Sequence, residues 1–244
     1  MQTSEVSETG EINESKLKWG ILDVLLVIVF IFLFTRFLAW FTADFIKGLV
    51  VTQKYLIAIL FQSTAVFLAV IYFKILKGVT WSELGIRFEG LPRALAYGAF
   101  GGVILFFLII LSGLVMQRIF PTEPSLQPFA EVVIGAVSFN DLILLLIVGA
   151  ILVPIVEEIY FRGMVYPVFK RRWGIAAGMI ISGAFFSLLH FDMLRFLPLL
   201  LGGIGLAYIY ERSGSLFACI LAHGLWNGVM ILILYYSADY FAGL

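Results

Sequence analysis

Two adjacent glutamates, Glu157 and Glu158, stand near the end of the run D-L-I-L-L-L-I-V-G-A-I-L-V-P-I-V-E-E-I-Y-F-R-G, from Asp141 to Gly163. An ionised acid at the centre of a bilayer costs about 2.5–3.5 kcal/mol to insert, so an acid in such a run is a functional-site hypothesis by default. Four residues on comes Arg162. On a helix Glu158 and Arg162 share a face and can pair, whereas Glu157 is turned about 100° away. One carboxylate is neutralised; its neighbour stays free. The simpler alternative is an ordinary ion pair at a helix end.

Histidine occurs twice in 244 residues, and both copies fall in the carboxy-terminal half. His190 follows Phe186 by one turn in A-F-F-S-L-L-H-F, and His223 precedes Asn227 by one turn in A-H-G-L-W-N-G. Each pair presents one helix face. A lone histidine bonded to a carbonyl over a packed Phe186, and an interhelical His–Asn bond of about 0.6–2 kcal/mol, are the structural alternatives.

Together a desolvated carboxylate, two imidazoles and an amide suffice to hydrolyse a peptide bond without a nucleophilic serine or cysteine. Glu157 would take the proton of a water, its pKa raised by burial, with His190 positioning that water. His223 and Asn227 would donate to the oxyanion, each donor contributing about 3–4 kcal/mol. Glu158 and Arg162 would support the helix end. No cofactor is needed on this reading. Zinc held by Glu157, His190 and His223 is the alternative, with Glu158 left as base; compact ligand spacing of the H-E-x-x-H kind is missing from the sequence.

The elements that must position these groups are membrane helices. Apolar residues make up 62% of the chain and charged residues 13%, with a mean hydropathy of +1.06; soluble chains run nearer 45–50% and 25%. Stretches able to cross about 30 Å of hydrocarbon, roughly 20 residues each, lie at about 20–41, 55–76, 93–116, 141–163, 173–190, 196–210 and 215–236. Backbone polar groups in lipid must be satisfied within the segment, and continuous apolar runs exclude barrel strands. The expected fold is all-α: a polytopic bundle of seven or eight helices around an intramembrane polar cavity open to the cytosol. An eighth segment would sit near Pro198–Gly205. Residues 1–18 read as a disordered polar tail, 19–80 as amino-terminal membrane helices and 81–244 as the catalytic core.

Basic residues bunch at Lys74, Lys77, Arg87 and Arg93 and again at Lys170–Arg172, whereas Gln117–Asn140 carries Arg118 as its sole cation. The positive-inside rule puts the two basic loops and the amino terminus in the cytosol. Net charge is zero and Cys219 is the single cysteine, so neither a nucleic-acid partner nor a cysteine-based framework is expected.

Glu157 lies 16 residues before Trp173, and His190 lies 16 after Gly174. A helix hairpin turning at Lys170–Gly174 brings them level, each roughly 25 Å from the turn. The segment after His190 would then turn back inside protein.

The motifs E-E-x-x-x-R at Glu157–Arg162, F-x-x-x-H at Phe186–His190 and H-x-x-x-N at His223–Asn227 resemble those of the CPBP intramembrane metalloprotease family. So do W-S-E-L-G-I-R at Trp81–Arg87 and Y-E-R-S-G-S at Tyr210–Ser215. That family includes type II CAAX prenyl endopeptidases and bacteriocin-processing or self-immunity proteins. The resemblance runs from about Trp81 onward and implies a glutamate-dependent endopeptidase in which Glu157 and His190 activate water and His223 and Asn227 hold the oxyanion. It implies a peptide or protein substrate, prenylated in the CAAX case, within the lipid bilayer. The compact length points to a prokaryotic cell-membrane protein. A non-catalytic immunity or scaffold protein, and less so a transporter, are the competing classes.

Overall fold

The computed structural model describes residues 17–121, 128–136 and 138–238. Seven elements follow one another: α1 (Ile21–Phe41), α2 (Val51–Leu76), α3 (Leu91–Ile119), α4 (Pro128–Ile134), α5 (Phe139–Leu188), α6 (Phe196–Ser213) and α7 (Leu216–Tyr236). A one-turn helix, Ala43–Ile46, links α1 to α2. Five of these, α1, α2, α3, α5 and α7, are long and apolar enough to cross a membrane. The chain is a multi-pass membrane protein, and no strand occurs among the described residues.

Every expected apolar segment is helical, and α5 contains two of them. Its arms, 139–173 and 175–188, meet at Gly174, whose φ of 82° and ψ of 173° lie in a region open essentially to glycine. The turn falls at Gly174, within the expected Lys170–Gly174 hairpin, and the helix of the apolar stretch 141–163 runs on to 173, because nothing before Gly174 reverses the chain. The extra helix is not at Pro198–Gly205, where α6 is continuous; it is the short α4. The expected tail 1–18 lies outside the described residues except for Leu17 and Lys18. Lys18 is tied down, donating to the Gly78 carbonyl (2.5 Å) and pairing with Glu83 (3.0 Å).

Two prolines in the first arm set its local geometry. Proline has no N–H and its ring collides with the carbonyl four residues back. Here each follows a π turn, Ile147–Leu152 before Pro154 and Ile159–Val165 before Pro167. The wider turn shifts bonding to the fifth residue back, as in Val153 N–H to the Val148 carbonyl and Tyr166 N–H to the Phe161 carbonyl. The next bond of the first series would be Pro154 to Gly149, which proline cannot make.

Small residues then bring the helices together. A Cβ on Gly203 of α6 would sit 2.7 Å from the Gly183 Cα in the second arm of α5, and one on Gly224 of α7 would sit 2.3 Å from the Ala150 carbonyl. Helices approach this closely in membranes where dispersion and hydrogen bonds, rather than hydrophobic exclusion, hold them. α3 closes the other side of α7, with Gly98 against Ala218 and Gly102 against Ala222. α1 is peripheral and joined to α5 by Trp19 Nε1 to the Met164 carbonyl (2.9 Å) and Tyr160 hydroxyl to the Val24 carbonyl (3.1 Å).

Candidate active site

The α5 hairpin sets the site's register. A Cβ on Gly178 would lie 2.7 Å from the Lys170 backbone, and Phe161 meets Phe186 edge-on with ring centroids 5.0 Å apart. Phe186 lies one turn before His190, its ring 4.6 Å from the His190 ring and 6.0 Å from that of His223, which in turn faces Glu157. The two arms thus present the first and second motifs to one another, and α7 brings the third.

Glu158 and Arg162 have fully buried side chains, and Arg162 Nη1 donates to Glu158 Oε1 at 2.9 Å. Its Nη2 donates to the Gly203 carbonyl of α6, also at 2.9 Å. His223 Nδ1 lies 2.8 Å from the same Glu158 Oε1. A carboxylate has no proton to give, so Nδ1 is the donor. That leaves His223 Nε2 facing Glu157 Oε2 at 3.9 Å, too far for a direct bond and close enough for one water to bond both. Glu157 retains 16% exposure of its side chain.

His190 is arranged alike. Its Nδ1 is 2.8 Å from the Phe186 carbonyl, an acceptor only, which fixes the proton on Nδ1 and leaves Nε2 as a free acceptor. His190 itself is exposed at the turn after the second arm. Phe186 lies between the motifs: its buried ring is 4.6 Å from that of His190, 6.0 Å from that of His223 and 5.1 Å beneath the Arg162 guanidinium. The indole of Trp226 stacks on His223 at 5.6 Å.

Asn227 lies one turn along α7 from His223, and its Nδ2 donates to the Gly149 carbonyl at 2.9 Å. This is the carbonyl that Pro154 leaves without a donor. One amide hydrogen completes the α5 backbone and the other remains. Beyond Gly149, toward α4, the bundle is packed with apolar groups: Phe129 sits over Gly149 and stacks on Tyr55 at 5.6 Å, above Val132, Val133, Leu142, Leu145 and Ile231.

Side-chain contacts therefore run from Glu157 to His223, Glu158 and Arg162, and Phe186 links these to His190, with Asn227 adjoining. The Glu158–His223 bond, the Gly203 acceptor and Trp226 carry no signal in the sequence; Pro154, three residues before Glu157, hints only at a helix irregularity. Among the described residues no three His, Cys, Asp or Glu side chains converge on one point as zinc would require, although both histidines leave Nε2 unbonded.

Residues 139–229 match the family model described as type II CAAX prenyl endopeptidase Rce1-like. The "Putative membrane peptidase YdiL" of Bacillus subtilis (strain 168) is 28% identical over 90 residues, 37% of each chain. The "UPF0177 protein YaiF" of Lactococcus lactis subsp. lactis (strain IL1403) is 36% identical over 88 residues, 34% of this chain and 37% of its own. An "Uncharacterized 24.3 kDa protein" of Escherichia coli is 32% identical over 102 residues, covering 40% and 47%. The chain spans less than half the length of each of these relatives. No solved structure matches.

Proposed function

Taking as premise the CPBP resemblance, which holds over residues 139–229, we propose that the chain is an intramembrane endopeptidase. It would act on a membrane-associated or lipidated peptide of the CAAX type. The observation that carries this reading is the unequal pair: Glu158 is locked between Arg162 and His223 by direct bonds, while Glu157 is partly exposed and its Oε2 stands 3.9 Å from His223 Nε2, beyond a direct hydrogen bond.

In the reaction a water held by Glu157 and His190 Nε2 loses a proton to Glu157 as its oxygen attacks the scissile carbonyl carbon. The oxyanion accepts from His223 Nε2–H and from the second amide hydrogen of Asn227. In that step His223 donates from Nε2 while its Nδ1–H stays on Glu158 Oε1, so both ring nitrogens carry hydrogen. The proton taken by Glu157 passes to the leaving amine, and the C–N bond breaks to give a carboxylate and an amine. The site would open toward the cytosol, the apolar packing around Phe129 and Tyr55 closing it on the other side.

Purified protein in nanodiscs, incubated with a prenylated CAAX peptide and a bacteriocin-leader peptide, tests this by mass spectrometry of the products. Cleavage by wild type, lost in Glu157→Gln at unchanged melting temperature, is the expected result. Cleavage retained in that variant overturns it, and an o-phenanthroline arm decides the zinc alternative.

A further inference from the structure

A second polar constellation lies apart from the peptidase motifs, where the basic ends of α3 and α6 meet. α3 packs antiparallel on α6, Gly101 against Ile209 and Gly205 against Leu105, a register that brings Arg212 in α6 to the level of Tyr97, one turn from Arg93 in α3. Arg93 also lies 5.7 Å from the Tyr97 ring centroid. Both arginines are exposed. Glu211, beside Arg212, is engaged elsewhere by Tyr166 (2.7 Å) and Lys170 (2.9 Å). Among the described residues no carboxylate pairs with either arginine. Two like charges thus stand on neighbouring helices beside one tyrosine, an arrangement that an anion would relieve.

The position of the pair identifies the anion. Arg93, Tyr97, Phe100, Ile104, Phe107 and Leu111 recur at steps of four and three residues, so they form one face of α3. The apolar members are exposed, Phe100 at 74% and Phe107 at 63%. From Tyr97 to Phe107 the stripe runs roughly 15 Å, about half of a 30 Å hydrocarbon core. A phosphate at the guanidinium end with chains along the stripe has the proportions of one leaflet's lipid.

We propose that Arg93, Arg212 and Tyr97 bind the headgroup phosphate of an anionic phospholipid in the leaflet on the basic side, its acyl chains lying along the exposed face of α3. Basic pockets between membrane helices on that side are suited to such headgroups. The guanidinium fork would take the phosphate oxygens in two-point contacts. The site stands whether or not the peptidase reading does.

Native mass spectrometry of the full chain, titrated in detergent with phosphatidylglycerol and separately with phosphatidylcholine, tests the proposal. Wild type is expected to retain phosphatidylglycerol preferentially. Arg93→Gln/Arg212→Gln is expected to lower that preference roughly thirtyfold, at about 1 kcal/mol for each of the two basic residues. Arg171→Gln/Arg172→Gln, the same charge loss on the other basic loop, is expected to leave it unchanged. Equal retention of both lipids by wild type overturns the proposal, as does an equal loss in both double variants or displacement by inorganic phosphate at the lipid's concentration. Melting of the Arg93/Arg212 variant in phosphatidylcholine, matched to wild type, keeps misfolding from imitating the expected loss.

Discussion

Neighbouring glutamates of identical chemistry have opposite structural obligations here. Glu158 holds two donors on one oxygen inside the bundle, so Glu158→Gln leaves Arg162 buried without a counter-charge. Breaking a buried pair in this way costs about 3–5 kcal/mol, and the variant is expected to melt well below wild type in detergent. Glu157→Gln removes a partly exposed carboxylate from which nothing hangs. Its melting point is expected to stay put while turnover of a CAAX peptide falls roughly 100- to 10,000-fold. Equal melting losses in the two variants would contradict the division of roles. The inequality itself is legible from 100° per residue on a helix and from Arg162 four residues on. The partner that orients His223 is not, because it depends on how α7 is set against α5, 65 residues away in the chain.

At the level of elements, the hairpin is readable from Gly174 and the basic run before it, and the pairing of Phe161 with Phe186 holds the two arms in register. Gly174→Ala places a side chain where φ is 82° and is expected to cost about 1–3 kcal/mol, read as a lower midpoint in thermal denaturation. The π turns are not readable: a proline in a helix announces an irregularity without saying whether the chain kinks or widens. Asn227 gives a sharper test. Asn227→Leu leaves the Gly149 carbonyl without its donor, a loss of about 1–3 kcal/mol. Adding Pro154→Ala restores a backbone N–H and is expected to recover the melting point but not the turnover. Recovery of both would remove Asn227 from the oxyanion role.

For the whole molecule, composition and run lengths suffice to place a helical bundle in a bilayer, and the segment ends fall within a few residues of the helices except where α5 continues. What composition cannot supply is which side each face sees. On charge asymmetry the Lys170–Arg172 turn is expected in the cytosol. In a Cys219→Ser background, a cysteine at Arg172 is expected to react with a membrane-impermeant maleimide only after the cells are opened, and one at Gln117 in intact cells. The reverse pattern would invert the topology.

The bond from Asn227 to the Gly149 carbonyl spans 78 residues and joins a side chain of the last helix to the backbone of an earlier one. During synthesis α5 therefore enters the membrane with a peptide carbonyl unfinished, and it stays so until α7 has left the ribosome. An unmet carbonyl in hydrocarbon costs several kcal/mol. Nascent chains that stop before Asn227 thus carry a built-in mark of incompleteness, open to whatever protease or chaperone surveys half-assembled membrane proteins.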